Sequence, residues 1–318
     1  MGSAEKIGLA LKISPFIIGV TIVALGTSFP ELASSVAAVL KEGPPGIDPT
    51  EIVTANVIGS NVANILLIVG LAAIATKSFL AVRRSLIDID LPLLASVTVL
   101  FGFIIWDRQI VWQEGLLLLL AFLIYLLYTF FKRGDAPEEK PLPEELPTEK
   151  LPEVLPSRMD RRKAKKPLEK LHSRVFLFLI LGGVFLSAGA YYLIESVIEL
   201  SAIFSIGVSV IAIFAVALGT SLPELVVSVR AAARKKYEIA LGNVFGSNVF
   251  NALIVVGIPS LIKPLSVDSV AFSIGFPFMV IATVLLIISG ITRRVSIWEG
   301  LMFLVIYILF VIWLFGWF

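Results

Sequence analysis

GTSFPEL at 26–32 and GTSLPEL at 219–225 are near-copies of one phrase, and GSNVAN at 59–64 and GSNVFN at 246–251 are near-copies of a second. Each phrase lies in an apolar run, so a carboxylate, Glu31 or Glu224, is set twice into surroundings hostile to charge. An ionisable residue at the centre of a membrane helix costs roughly 2.5–3.5 kcal/mol on insertion scales. Repeating that cost in the same local context points to a cation site built from both copies, as internally repeated transporters place an ion near the bilayer midplane.

Composition agrees with a membrane setting. The chain is 58% hydrophobic and only 16% charged, with a mean hydropathy of +0.96, whereas a soluble globule carries about a quarter charged residues. Runs long enough to cross roughly 30 Å of hydrocarbon fall at 14–40, 52–76, 86–106, 110–131, 175–196, 204–228, 239–262, 270–291 and 297–317. Lipid offers backbone groups no partner, so nine transmembrane helices are expected. No cysteine is present and His172 is the only histidine, which excludes disulfides, thiolate sites and a histidine-built metal centre. Nothing in the chain suggests an enzyme, a resident cofactor or a nucleic-acid surface; the expected partners are the lipid bilayer and the transported ions.

The charges orient the spans. Lys6, Lys12, Lys77, Arg83, Arg84, Arg230, Arg234, Lys235, Lys236, Arg293 and Arg294 fall on one side, against Lys41, Arg108 and Lys263 on the other. By the positive-inside rule the rich side is cytoplasmic. The expected protein is a multi-pass cell-membrane protein with its N-terminus inside and its C-terminus outside, and no cleavable signal opens the sequence.

Residues 132–174 divide the chain. A proline- and glutamate-rich stretch is followed by the basic RMDRRKAKKPLEK, neither able to bury a core, so the segment reads as a solvated cytoplasmic tether. The expected units are 1–131, with four spans, the linker 132–174, and 175–318, with five. The halves match further at WQEG, 112–115, and IWEG, 297–300. The glutamate helix is entered from opposite sides in the two halves. The fold class is therefore an all-α membrane protein of two inverted-topology repeats of five helices, the first helix missing. Offset 193 sets Met1 against Ile194, so the span leading the second half has no counterpart in the first. An in-frame apolar segment of about 20 residues upstream, or a partner chain, is expected to supply it.

The phrases carry oxygen chemistry. Pro30 and Pro223 lack an N–H, so the carbonyls of Gly26 and Gly219 lose their helical partner. Thr27 and Thr220 precede the glutamates by four residues and share their helix face. Ser60 and Asn64 are likewise four apart, as are Ser247 and Asn251. Carboxylate, hydroxyl, amide and carbonyl oxygens without nitrogen or sulfur ligands suit a hard cation, and calcium accepts about 6–8 of them in flexible geometry. The same oxygens suit sodium, and competition for one anionic site is the simplest basis for exchange.

The paired GTSxPE and GSNxxN phrases resemble the two alpha-repeats of the sodium/calcium exchanger family, within the calcium/cation antiporter superfamily, over nearly the whole chain. The GNxxE form of the proton/calcium branch is absent. The resemblance implies a ten-helix fold and an antiporter exchanging calcium for sodium by alternating access. It places acidic ligands at Glu31 and Glu224 and hydroxyl ligands at Thr27, Ser28, Thr220, Ser221, Ser60 and Ser247. It places amide ligands at Asn64 and Asn251, and carbonyl ligands for sodium at Ala24 and Ala217. Relatives that require potassium have aspartate where this chain has Asn251, so no potassium requirement is expected. The alternatives are a proton-coupled or other divalent-cation antiporter, or a non-transporting, partner-dependent subunit.

Structural roles are expected elsewhere. Gly59, Gly246, Asn61 and Asn248 read as helix-packing residues, and Trp112, Trp298 and Trp317 as interfacial anchors. Asp88 and Asp90, at the edge of a span, read as a solvated face.

Overall fold

The computed structural model describes residues 19–76, 78–82, 90–133 and 173–316. Lys6, Lys12, Lys77, Arg83, Arg84, Asp88, His172, Trp317 and all but the ends of the tether 132–174 lie outside the described residues.

In chain order the helices are α1 (Gly19–Thr27), α2 (Phe29–Leu40), α3 (Glu51–Ala75), α4 (Leu91–Ile104), α5 (Trp112–Arg133), α6 (Ser173–Phe204), α7 (Val208–Thr220), α8 (Leu222–Ala233), α9 (Tyr237–Ile262), α10 (Ala271–Ile291) and α11 (Ile297–Leu314). Among the described residues, α3, α5, α9, α10 and α11 are each long and apolar enough to cross a membrane. The pairs α1/α2 and α7/α8 are long and apolar enough only when each is taken together, and each is bent at its break.

Polar residues are on the inside of this bundle. The most apolar windows of α3 and α9 are 83% and 94% buried, against 22–33% for α5, α10 and α11. In lipid, helices associate through close packing and polar contacts rather than by hiding apolar surface. The two asparagine-bearing helices take the centre, and α5, α10 and α11 face outward. Close approach is achieved at Gly59 and Gly246. A Cβ on Gly59 would run into the Ile213 carbonyl of α7, and one on Gly246 into the Val20 carbonyl of α1. The packing expected of these glycines is observed, and each contact joins one repeat to the other.

Two short antiparallel ribbons close the bundle at opposite ends of α3. Strand β1 (Phe79–Ala81), just after α3, pairs with β4 (Arg294–Ser296), just before α11. Strand β2 (Gln109–Ile110) pairs with β3 (Leu265–Ser266), which is tied to the start of α3 by Thr54 Oγ1 donating to the Ser266 carbonyl at 3.1 Å. Residue 79 matches 265 at offset 186, and 109 matches 294 at offset 185, close to the motif offsets. The β1–β4 pairing is thus the repeat image of β3–β2, a two-fold relation written in backbone hydrogen bonds. π-helical turns repeat as well, at Gly19–Val23 and Ala212–Val216, and at Ala63–Val69 and Asn251–Val255.

Several expectations need correction. The runs 14–40 and 204–228 were expected as single spans, but the described part of each breaks, with bends of 45° and 48°. Pro30 and Pro223 cannot donate to the preceding turn, so each starts a new helix at its first or second position, where the missing N–H costs nothing. The second of these runs begins later than expected, because Phe204 still belongs to α6 and Ser205 turns the chain with φ 53°. Of the run 86–106, residues 86–89 lie outside the described residues, and the α-helix of the described part spans Leu91–Ile104. Asp90 is 3% exposed rather than solvated, because the start of α4 tucks in with Leu91 directed at Gly290 of α10. Trp112 and Trp298 are exposed, as anchors should be.

Helix α6 packs along α2. At the end of α2, Lys41 pairs with Glu195 at 3.2 Å and lies 3.8 Å over the Tyr191 ring, both on α6.

Candidate functional site

The breaks in α1/α2 and α7/α8 create the site. The C-terminal ends of α1 and α7 and the N-terminal ends of α2 and α8 meet the central helices α3 and α9. Glu31 and Glu224 occupy the first turns of α2 and α8. A helix N-terminus is the end that favours negative charge, and the carbonyl ends of α1 and α7 favour positive charge. One broken helix therefore holds both a carboxylate and a place for a cation.

Both glutamates are fully buried. Their hydrogen bonds cross between repeats. Ser28 Oγ, three residues before Glu31, donates to Glu224 Oε1 at 2.9 Å, and Ser221 Oγ, three before Glu224, donates to Glu31 Oε1 at 3.2 Å. Ser247 Oγ of α9 also donates to Glu224 Oε1, at 3.3 Å. The second oxygen of each carboxyl, Oε2, is buried and has no hydrogen-bond partner among the described residues. Buried polar atoms are nearly always paired, so two such oxygens on facing carboxyls call for a reason.

The threonines cross over too. Thr27 Oγ1 reaches Asn243 Oδ1 of α9 at 3.2 Å, and Thr220 Oγ1 reaches Asn56 Oδ1 of α3 at 3.5 Å. Ser60 does not mirror Ser247: its Oγ donates to Asn56 Oδ1 at 3.5 Å instead of to Glu31. The Ala24 carbonyl accepts from Ser28 N at 3.0 Å and Thr27 Oγ1 at 3.2 Å, and the Ala217 carbonyl from Ser221 N at 3.0 Å and Thr220 Oγ1 at 3.4 Å.

Asn64 and Asn251 are fully buried on the central helices but bond neither glutamate. Asn251 Nδ2 donates to Asn61 Oδ1 at 3.3 Å, leaving Oδ1 of Asn251 and both amide atoms of Asn64 unpaired among the described residues. Asn61 Nδ2 donates to the Asn248 carbonyl at 3.2 Å, and Asn248 Nδ2 to the Val244 carbonyl at 2.7 Å. Asn61 thus packs α3 against α9, as expected, whereas the Asn248 side chain bonds only within its own helix.

Asn56 and Asn243 were missed. The signal was available, because the second phrase repeats from three residues earlier, NVIGSNVAN at 56–64 and NVFGSNVFN at 243–251. Among the described residues no three acidic or histidine side chains cluster around a metal position. The site consists of two carboxyls set among neutral oxygens. Beside it, a cavity of about 380 Å³ is lined by Pro30 and Ser34 of α2, Gly219 and Thr220 of α7, and Phe185 and Gly189 of α6.

Comparison with known proteins identifies the family. A family model described as sodium/calcium exchanger protein matches residues 1–131 and 174–316. The chain is 33% identical to the sodium/calcium exchanger MaX1 of Methanosarcina acetivorans, covering 98% of this chain and 92% of that protein. It is 31% identical over 273 residues to the inner membrane protein YrbG of Escherichia coli, covering 86% and 77%. It superposes on a solved structure of the sodium-calcium exchanger NCX_Mj, soaked with Na⁺ and Sr²⁺, with a TM-score of 0.66 and 30% identity over 96% of this chain and 89% of that one. With a bundle of apolar helices and inverted repeats matched over nearly its full length, the chain is a multi-pass membrane cation antiporter and belongs to the sodium/calcium exchanger protein family.

Proposed function

We propose that this antiporter exchanges calcium for sodium by alternating access, with both ions bound at the junction of the two broken helices. The observation that carries the reading is the reciprocal pair of Ser–Glu hydrogen bonds, Ser28 to Glu224 and Ser221 to Glu31, which leaves each Oε2 without a partner among the described residues. Two carboxylates balance one calcium ion, and serine, threonine, asparagine and carbonyl oxygens bring the donor set toward the coordination calcium favours. Glu31, Glu224, Thr27, Ser28, Thr220, Ser221, Ser60 and Ser247 form the inner set. Asn64 and Asn251 supply amide oxygens from the next turn of α3 and α9, and Ala24 and Ala217 supply carbonyls for sodium. The neutral Asn251 argues against a potassium requirement. On this reading the units are residues 1–131 and 175–318, joined by a cytoplasmic tether.

The test is calcium uptake by vesicles reconstituted with the purified chain and loaded with sodium. Uptake that collapses when internal sodium is replaced by choline, and is unchanged without potassium, is the expected result. Uptake driven fully by a pH gradient in the absence of sodium would replace this reading with proton coupling.

A further inference from the structure

Asn56 and Asn243 have no ligand role above, yet each touches a threonine of the opposite repeat. Thr27 Oγ1 has three acceptors in reach: the Val23 carbonyl at 3.1 Å, the Ala24 carbonyl at 3.2 Å and Asn243 Oδ1 at 3.2 Å. Thr220 Oγ1 has the Val216 carbonyl at 3.0 Å, the Ala217 carbonyl at 3.4 Å and Asn56 Oδ1 at 3.5 Å. A hydroxyl has one proton to give. Given to a carbonyl, it occupies a lone pair that a cation would need.

The orientation of Asn243 follows from its other partners. Its Nδ2 donates to Ser228 Oγ at 3.0 Å and to the Glu224 carbonyl at 3.5 Å. A carbonyl only accepts, so the oxygen end of the amide faces Thr27. Asn56, its repeat image at offset 187, presents Oδ1 to Thr220 and Ser60.

Resting on the exchange reading above, the geometry points to Asn56 and Asn243 as positioning residues that draw hydroxyl protons away from the ion site. Asn243 takes the proton of Thr27, and Asn56 takes those of Thr220 and Ser60. The lone pairs of these hydroxyls, and the carbonyls of Ala24 and Ala217, are thereby left for sodium. The two asparagines are not equally held. Asn56 Nδ2 is buried without a partner among the described residues, and so is Oγ of Ser35, which matches Ser228 at offset 193. Asn56 thus acts through its oxygen alone, whereas Asn243 needs both ends of its amide.

The experiment measures sodium dependence of calcium uptake in reconstituted vesicles for Asn56→Leu, Asn56→Asp and Asn243→Leu, and for the leucine variants combined with Thr220→Val and Thr27→Val. Each leucine variant is expected to raise the half-saturating sodium concentration about fivefold, the scale of one lost net hydrogen bond, with flux at saturating sodium near wild type. Within its threonine-to-valine background, Asn243→Leu should add nothing. Asn56→Asp, which keeps the acceptor, should need no more sodium than wild type. An unchanged sodium requirement in Asn56→Leu, full additivity of Asn243→Leu with Thr27→Val, or an Asn56→Asp as impaired as Asn56→Leu would overturn the proposal. Should Asn243→Leu not fold, the two Asn56 variants decide, because Nδ2 there has no partner to lose. A wild-type chain without sodium-dependent uptake overturns the exchange reading, and this one with it.

Discussion

At the scale of single residues, the defining fact is that two buried carboxyls share one junction with no basic side chain paired to them among the described residues. Each accepts a serine hydrogen bond on Oε1, and its Oε2 has no partner among the described residues. Replacing a glutamate with glutamine preserves shape and the Oε1 acceptor but removes a charge that a divalent cation needs. Glu31→Gln and Glu224→Gln are each expected to reduce calcium uptake to background while the purified proteins still melt cooperatively within a few degrees of wild type in cation-free buffer. Calcium at a hundredfold over its dissociation constant should stabilise the wild type by about 2.7 kcal/mol, a rise in melting temperature that both variants should lack. Wild-type uptake by either variant would remove that glutamate from the site. Both residues were legible in the sequence because an acid inside an apolar run is costly and here occurs twice. Asn56 and Asn243 were overlooked although the second phrase repeats from them, since an asparagine in a membrane helix is as often a packing residue, as Asn61 is.

At the scale of helices, the sequence shows where apolar runs lie but not how they bend. Pro30 and Pro223 signalled lost hydrogen bonds; that the loss becomes a new helix start, with bends of 45° and 48°, depends on packing against α3 and α9. The register of those contacts is set by two glycines. A Cβ on Gly59 or Gly246 meets backbone of the facing helix, which has no rotamer by which to yield, whereas a Cβ on Gly26 or Gly219 has nothing within 4 Å. Gly59→Ala and Gly246→Ala should therefore destabilise by about 1–3 kcal/mol, the usual cost of overpacking. Gly26→Ala and Gly219→Ala, at the ends of α1 and α7, should change stability by no more than about 1 kcal/mol, the alanine–glycine difference in helix propensity. Thermal unfolding in one detergent checks both pairs, and equal effects at the four positions would contradict the packing described. The ribbons β1–β4 and β2–β3 were invisible in the sequence, because strands of two and three residues carry no readable alternation.

At the scale of the molecule, inverted repeats permit alternating access when one part rocks or slides against another around a fixed site. The ribbons indicate which part stays still. They lie at opposite ends of α3, a helix of 25 residues and so about 37 Å long. Each staples one repeat to the other, and the pairing is the same in both by the two-fold relation. Helix α6 lies outside this frame, against α2, with Lys41 reaching Glu195 and Tyr191. A covalent bond across a ribbon should then leave transport intact. Ala81 and Arg294 are Cα partners in β1–β4, and Arg294 is exposed. Directly opposed antiparallel residues are about 4.5–5.5 Å apart, within the range a disulfide spans. The chain has no cysteine of its own, so Ala81→Cys with Arg294→Cys introduces a single possible bridge. Oxidation of the double variant should cross-link it almost completely and change sodium-driven calcium uptake by less than about twofold, the limit for a bond formed within a rigid frame. Loss of uptake on oxidation, restored by reductant, would mean that the ribbon itself opens during the cycle and that the moving boundary runs between β1 and β4.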